Sequence, residues 1–315
     1  MRRFKCLSMG LLLIMALTAC SSQGSSKETT EKQETEAVKT TAESATETSG
    51  QEASDKETTA ESGTEEKVLI GYSPMTMVNP YFSAVGSAIE EVVAEHGAEL
   101  VKFDPQMDAS VQAAQIDDMI SMGIKALLFI PVDSAGSRNI MQACKDAGVY
   151  VVNIDNVVNE NDYDVVDAIV ASDNYGLGYV SGQDVAERFP DGAKIGIMHS
   201  PTSESCIVTV NAFWDAIKEH AKNPEAYVNV AEADGKGNME QSFTQATDIL
   251  QAHDDIDLFY CVNDQSAFGV IQAIKEAGKA GEIAVYGKDG SPDAKAVLGK
   301  DGFVQSSGQS PLGIG

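Results

Sequence analysis

From Val68 onward the chain alternates short apolar runs with amphipathic stretches of helical length. Apolar runs fall at 68–72, 99–103, 126–130, 149–154 and 168–171, and again at 195–198, 227–231, 258–261, 283–287 and 303–305. Between them lie stretches with helical spacing, among them 80–96, 110–122, 134–147, 174–189, 204–220, 239–252, 265–277 and 292–298. Continuous apolar strands, each followed by one helix, mean crossover connections and parallel sheets covered on both faces. About ten such strands are too many for one comfortable sheet. The pattern therefore predicts an α/β chain of two doubly wound parallel-sheet lobes joined by a hinge. Gly148 and Gly278, each placed just after a periodic stretch, read as helix C-caps. An irregular stretch, 156–164, follows the fourth strand.

What precedes Val68 cannot join such a core. Arg2, Arg3 and Lys5 give a basic start, residues 7–17 are apolar or small, and Leu17-Thr18-Ala19-Cys20 closes the segment. A run this short is the core of an export signal, because a membrane span needs about 20 apolar residues. Residues 1–20 thus read as a signal peptide, and Leu-Thr-Ala-Cys resembles the bacterial lipobox. That resemblance implies acylation at Cys20, with palmitate-type chains, and cleavage just before it. Residues 21–67 are nearly all Ser, Thr, Glu, Lys, Ala, Gly and Gln, with Val38 the one large aliphatic and no aromatic. Such a segment buries too little apolar surface to offset its ordering entropy and reads as a disordered acidic spacer. As a flexible coil it would reach roughly 35–40 Å. Beyond Cys20 only Cys144, Cys206 and Cys261 remain, far apart and without a CxxC or Cys/His cluster. Neither a disulfide framework nor a metal site is indicated, and no cofactor.

The formal net charge is −26, most of it beyond residue 67. A folded region that acidic repels nucleic acid, whose binding depends on basic side chains neutralising phosphates. In open parallel sheets, ligands bind beyond the carboxyl ends of the strands. Here those ends carry Asn79, Tyr81 and Phe82 after the first strand and Asp155-Asn156 after the fourth. Ser172-Asp173-Asn174 follow the fifth, Asn263-Asp264 the eighth, Lys288-Asp289-Gly290 the ninth, and Gln309 the tenth. Carboxylates and amides offer planar sets of acceptors and donors that match vicinal hydroxyls, and ionised acceptors bond more strongly. An aromatic ring covers a sugar's apolar C–H face. Each Asp or Asn alone is as well explained as a helix N-cap or turn residue; five such positions at one end of the strands point to a binding site for a small polar ligand. Tyr81 and Phe82 are expected to divide, one packing inward and one facing the cleft. No nucleophile has a base at recognisable spacing, so no catalytic residue is assigned and the chain does not read as an enzyme. Asp234-Gly235-Lys236-Gly237-Asn238 reads as a turn, lacking the alternating acids of a calcium loop.

Ile70-Gly71, Asn79-Pro80-Tyr81-Phe82, Ile130-Pro131-Val132-Asp133, Ile154-Asp155, Ala171-Ser172-Asp173-Asn174, Asn263-Asp264 and Asp289-Gly290-Ser291-Pro292-Asp293 occur in this order. Through them residues 68–315 resemble the periplasmic ribose- and galactose-type binding proteins, type I solute-binding proteins that share their fold with lac repressor effector domains. The resemblance implies that Asn79, Tyr81, Phe82, Asp155, Asn263, Asp289 and Gln309 line the cleft. It implies hinges near Asp173-Asn174 and near Gln309, with a first lobe of 68–173 plus 310–315 and a second of 174–309. It further implies a monomer, lipid-anchored on the outer face of the cell membrane, that delivers a sugar or related polyol to an ABC permease. The alternative output is a chemoreceptor or histidine kinase. The sequence departs from the pattern twice. Thr209 stands where sugar-binding relatives carry an arginine, which implies a ligand with one fewer acceptor there or with its own donor. The chain also stops at Gly315, where the family continues, so the C-terminal end is expected to be incomplete. The lipobox reading predicts that Cys20→Ser yields unlipidated protein released from membranes; membrane fractionation with acyl labelling checks it, and a variant that stays membrane-bound and labelled overturns it.

Overall fold

The structure, a computed structural model, describes residues 67–315. The signal, Cys20 and all but the last residue of the spacer lie outside the described residues. The first lobe begins with β1 (Leu69–Ser73), α1 (Pro80–Glu95), β2 (Glu99–Lys102), α2 (Ala109–Met122) and β3 (Ala126–Phe129). It continues with α3 (Arg138–Asp146), β4 (Tyr150–Ile154) and β5 (Ala168–Val170). The second lobe holds α4 (Asn174–Arg188), β6 (Ala193–His199), α5 (Glu204–His220), β7 (Tyr227–Asp234), α6 (Met239–Ala252) and β8 (Leu258–Cys261). After these come α7 (Asp264–Glu276), β9 (Ala284–Asp289), α8 (Pro292–Val297) and β10 (Phe303–Gly308), and α9 (Pro311–Ile314) returns to pack on α1.

The strands form two five-stranded sheets, in the orders β2-β1-β3-β4-β5 and β10-β9-β8-β6-β7. Every strand pairing is parallel. Counted within its own lobe, each sheet has the same arrangement, with its first strand between its second and third. Side-chain alternation explains why both faces are covered. In β8, Leu258 and Tyr260 pack with Val185 of α4 and Phe213 of α5. Their neighbours Phe259 and Cys261 pack on the other side with Leu250 of α6 and Val270 of α7. In the first lobe, Leu127 and Phe129 meet Met119 of α2 and Met141 of α3, while Tyr72 and Ile154 meet Val85 and Ile89 of α1. Each large side chain so buried is worth roughly 1.5–3 kcal/mol.

Element ends differ from the sequence expectation where local polar bonds intervene. The third helix is shorter than 134–147: the Asp133 carboxylate accepts from Ala135 N at 3.0 Å, and Ser137 Oγ donates to the Asp133 carbonyl. Such side-chain turns compete with helix formation. Strand β7 runs three residues past 231, because as an edge strand it mixes exposed and half-buried positions rather than forming one apolar run. Gly148 and Gly278 do close their helices, both at φ +73°, with their N–H groups on the carbonyls of Lys145 and Lys275.

Helices α4 and α5 approach closely enough to need glycine. A Cβ on Gly178 would sit 2.0 Å from the Thr209 carbonyl oxygen, and one on Gly182 would sit 2.1 Å from that of Phe213. Alanine gains about 1 kcal/mol of helix propensity over glycine, but this clash is with backbone that cannot swing aside. Overpacking typically costs about 1–3 kcal/mol. Gly178→Ala is expected to lower the unliganded Tm by about 2 °C or more in a thermal melt; an unchanged or raised Tm would show that the helices separate freely.

Candidate functional site

The carboxyl ends of both sheets open onto one cleft of about 700 Å³. Asn79, Tyr81, Phe82, Asp155, Asn263, Asp289 and Gln309 all border it. They come from the loop after β1 and the first turn of α1, the loops after β4 and β8, the end of β9, and the loop after β10, so both lobes contribute.

Two of these residues are also helix caps. Asn79 Oδ1 accepts from Tyr81 N at 2.9 Å and starts α1. Asn263 Oδ1 accepts from Ser266 N at 2.8 Å, starting α7, while its Nδ2 donates to the Gly237 carbonyl at 2.9 Å. The cap and the ligand-facing position are thus compatible, because capping fixes the carboxamide at the mouth of the helix, where the cleft lies. Tyr81 and Phe82 do not divide between core and cleft: both rings are buried in the α1 face of the core and both border the cleft.

The two carboxylates form the centre of the site. Tyr81 donates its hydroxyl to Asp155 Oδ1 at 2.7 Å, and Gln309 Oε1 lies 3.5 Å from that hydroxyl. Gln309 Nε2 donates to Asp289 Oδ1 at 2.9 Å, and Gln309 N donates to the Asp289 carbonyl at 2.9 Å. A chain of polar contacts therefore runs from Asp155 through Tyr81 and Gln309 to Asp289. Both acids occupy the left-handed backbone region, at φ +59° and +126°. Few side chains adopt that region, and backbone held there clusters at ligand sites. Burial raises the pKa of Asp155, opposed by the Tyr81 hydrogen bond and the Lys288 charge. Burial, aided by the Asp264 charge, pushes Asp289 up to about 7, against Lys288 and Gln309. Burial likewise holds the Tyr81 hydroxyl above its ordinary range, with Asp155 adding to it, so it stays a donor.

Thr209 is not in the cleft. It is fully buried between α4 and α5, and its Oγ1 donates to the Ser205 carbonyl at 2.6 Å. The phase of α5 turns position 209 toward Gly178, and the residues one turn earlier, Ser205 and Cys206, reach the cleft instead.

Lys288 and a seam between the lobes were not selected from the sequence. Lys288, 4% exposed, borders the cleft and donates to Asn174 Oδ1 at 3.3 Å. Its one sequence signal is a cation directly after the apolar run 283–287. In the seam, Asn156 Nδ2 donates to the Pro131 carbonyl at 2.7 Å, while its Oδ1 accepts from Ser203 Oγ at 2.9 Å and Ser205 N at 3.2 Å. Ser205 Oγ donates to the Asp155 carbonyl at 2.9 Å. The first lobe's carboxylate loop is thereby bonded to the start of α5. In the turn after β7, the Asp234 carboxylate accepts from Lys236 N at 2.8 Å. Among the described residues no helix is long and apolar enough to cross a membrane.

Residues 70–315 match the model of a family described as periplasmic binding protein domain. The ribose import binding protein of Bacillus subtilis is 28% identical over 256 residues, covering 81% of this chain and 81% of the relative. The D-allose-binding periplasmic protein of Escherichia coli is 24% identical over 247 residues, covering 76% and 78%. Among solved structures, an ABC transporter solute binding protein of Mycobacterium smegmatis with bound glycerol superposes with TM-score 0.71. It is 26% identical, over 78% of this chain and 84% of that one. The Caulobacter myo-inositol binding protein shares the fold at TM-score 0.73 and 24% identity, over 79% and 84%.

A carboxyl whose folded pKa exceeds its unfolded value binds its proton more tightly when folded. Asp289 therefore contributes stability that is complete below about pH 4 and is lost as the pH rises through about 7. In melts of the unliganded protein, Asp289→Asn should gain Tm relative to wild type progressively from pH 4 to 8. A pH-independent difference between the two would mean that Asp289 ionises as a solvated acid.

Proposed function

Because the chain belongs to the periplasmic binding protein family, we propose that it is an extracytoplasmic solute-binding protein that captures a sugar or related polyol for an ABC importer. The observation that carries this reading is the pair of buried acids, Asp155 and Asp289, linked through Tyr81 and Gln309 at the meeting of the two lobes. Carboxylates there accept hydroxyl protons, the Asn79 and Asn263 amides supply both donors and acceptors, and the Tyr81 and Phe82 rings offer an apolar wall. A ring with hydroxyls on its edge and C–H groups on its face satisfies all three. The names of the relatives support the same class: ribose import binding protein in one case, D-allose-binding protein in another.

The lobes, 68–173 with 310–315 and 174–309, would close on the ligand by rotation about the crossings near Asp173-Asn174 and Gln309. The protein would act as a monomer. The lipobox at Cys20 would hold it on the outer face of the membrane, since two acyl chains give stable anchoring where one gives only marginal binding. The spacer then lets the cleft reach the permease.

Titration calorimetry of the full chain against D-ribose, D-allose, D-galactose, D-glucose and myo-inositol tests the reading, with saturable binding at micromolar Kd or tighter expected for at least one. Asp155→Asn keeps a residue that tolerates positive φ and still accepts from Tyr81, so its unliganded Tm should change little. Its affinity should fall by about 1–3 kcal/mol, as a charged acceptor becomes neutral. Binding of no panel member, or a variant that melts lower yet binds as well, would count against the assignment.

A further inference from the structure

Lys288 is the one lysine or arginine among the described residues that is buried. Its position follows from strand alternation. Tyr286 of β9 packs into the α4–α5 face of the second lobe, and Lys288, two residues on, emerges on that same side at the strand's carboxyl end. There its ammonium meets Asn174 Oδ1 at 3.3 Å. It makes no ion pair within 4 Å among the described residues. An ammonium has three donors, and this one uses a single, long bond to a neutral amide. Leaving buried donors of a charged group unmet is unfavourable, so the remaining N–H groups need acceptors from the cleft that Lys288 borders.

Charge decides what kind of acceptor. Four acids, Asp108, Asp155, Glu240 and Asp289, and two lysines, Lys236 and Lys288, border the cleft, and of these Asp155, Asp289 and Lys288 are buried. No positive excess exists to hold an anion, and an acidic ligand would meet the carboxylates. A hydroxyl suits the arrangement, because it can accept from Lys288 and donate its own proton to a carboxylate. Helix α5 brings no cation to the cleft, since Thr209 is turned into the α4 contact; the charge arrives from β9 instead.

Resting on the sugar reading above, we propose that Lys288 is the specificity-determining donor of the second lobe: it reads one hydroxyl or ring oxygen of an uncharged polyhydroxylated ligand, while Asp155 and Asp289 turn acidic sugars away. The ligand therefore does not need one fewer acceptor than an ordinary sugar, contrary to what the missing arginine alone implies.

The experiment uses the full chain, with the sugar panel above, D-galacturonate, and the monodeoxy analogues of whichever panel sugar binds tightest. Lys288→Met should weaken that sugar ten- to a hundredfold, and Lys288→Arg should restore part of the loss. Wild type should bind D-galacturonate at least tenfold more weakly than D-galactose. One monodeoxy analogue should lose affinity in wild type but suffer no further loss from Lys288→Met, the non-additivity that marks a direct partner. Should the methionine variant not fold, Lys288→Gln gives the same comparison. A lowered unliganded Tm with every sugar and analogue weakened by one common factor would make Lys288 a structural counter-ion and overturn the assignment. So would unchanged sugar affinity in the variant, or a wild-type preference for galacturonate. If wild type binds no panel member, the sugar reading itself fails, a result distinct from a variant that binds as wild type does.

Discussion

Covering a parallel sheet on both faces with helices leaves the chain little choice about where polar chemistry can go. Strand interiors such as Leu258–Cys261 are fully buried on both sides, so a ligand-binding group there would have to be desolvated and partnered within the core. Beyond the carboxyl ends the constraint lifts, because the strand has ended and the next helix has not yet closed over it. Both sheets are built in the same order, and each therefore offers an equivalent rim. The cleft is the space between those two rims, and its residues come from eight different strand ends and the segments that follow them rather than from one motif.

The same rim explains why caps and ligand-facing residues coincide. A helix that starts beside the cleft needs acceptors for its first N–H groups, and Asn79, Asp108, Ser203, Asn238 and Asn263 supply them. A capping side chain is held in one orientation by its own hydrogen bond, which pre-orders any atom it leaves toward the ligand. Asp155 and Asp289 follow a different rule: they cap no helix. Their carboxylates are set by positive-φ backbone and by Tyr81 and Gln309. Strained backbone at two acids in one cleft, each with its pKa raised by burial, is a local cost that the surrounding core must offset.

Legibility from the sequence divides along these lines. Strands buried on both faces announce themselves as unbroken apolar runs, so β8 and β4 were readable, and with them the positions of Asn263 and Asp155 one or two residues later. The edge strand β7 was read short because half of its positions face solvent. Thr209 was misplaced because a site on a helix depends on rotational phase. The resemblance to sugar-binding relatives put it in the cleft, but one turn of α5 separates a cleft position from one set against Gly178. Lys288 was passed over for a related reason. Its neighbour Asp289 is the last residue of β9, and which of two adjacent side chains enters the cleft is not fixed by composition. Here both do, because the backbone turns to φ +126° at Asp289. The seam through Asn156, Ser203 and Ser205 joins residues 47 and more positions apart and has no local signature at all.

That seam bears on how tightly such a cleft can hold its ligand. In the proposed cycle the binding-competent form is the one with the lobes together, and affinity is reduced by whatever fraction of molecules is not in that form. The seam bonds run from Asn156 to Ser203 and Ser205, and from Ser205 to the Asp155 carbonyl. Each contributes on the order of 0.5–1.5 kcal/mol net. Summed, that matches the few kcal/mol that typically separate two such conformations. They lie behind the carboxylate loop and touch Asp155 through its backbone, leaving its side chain to the cleft. Contact between the lobes and the cleft-facing carboxylate are thus carried by different atoms of the same short segment. The neutral amide of Asn156 joins the lobes, and the charged group beside it faces the cleft. A carboxylate at position 156 would be buried beside Asp155 with no cation among the seam partners, which is a physical reason for an amide rather than an acid at that place.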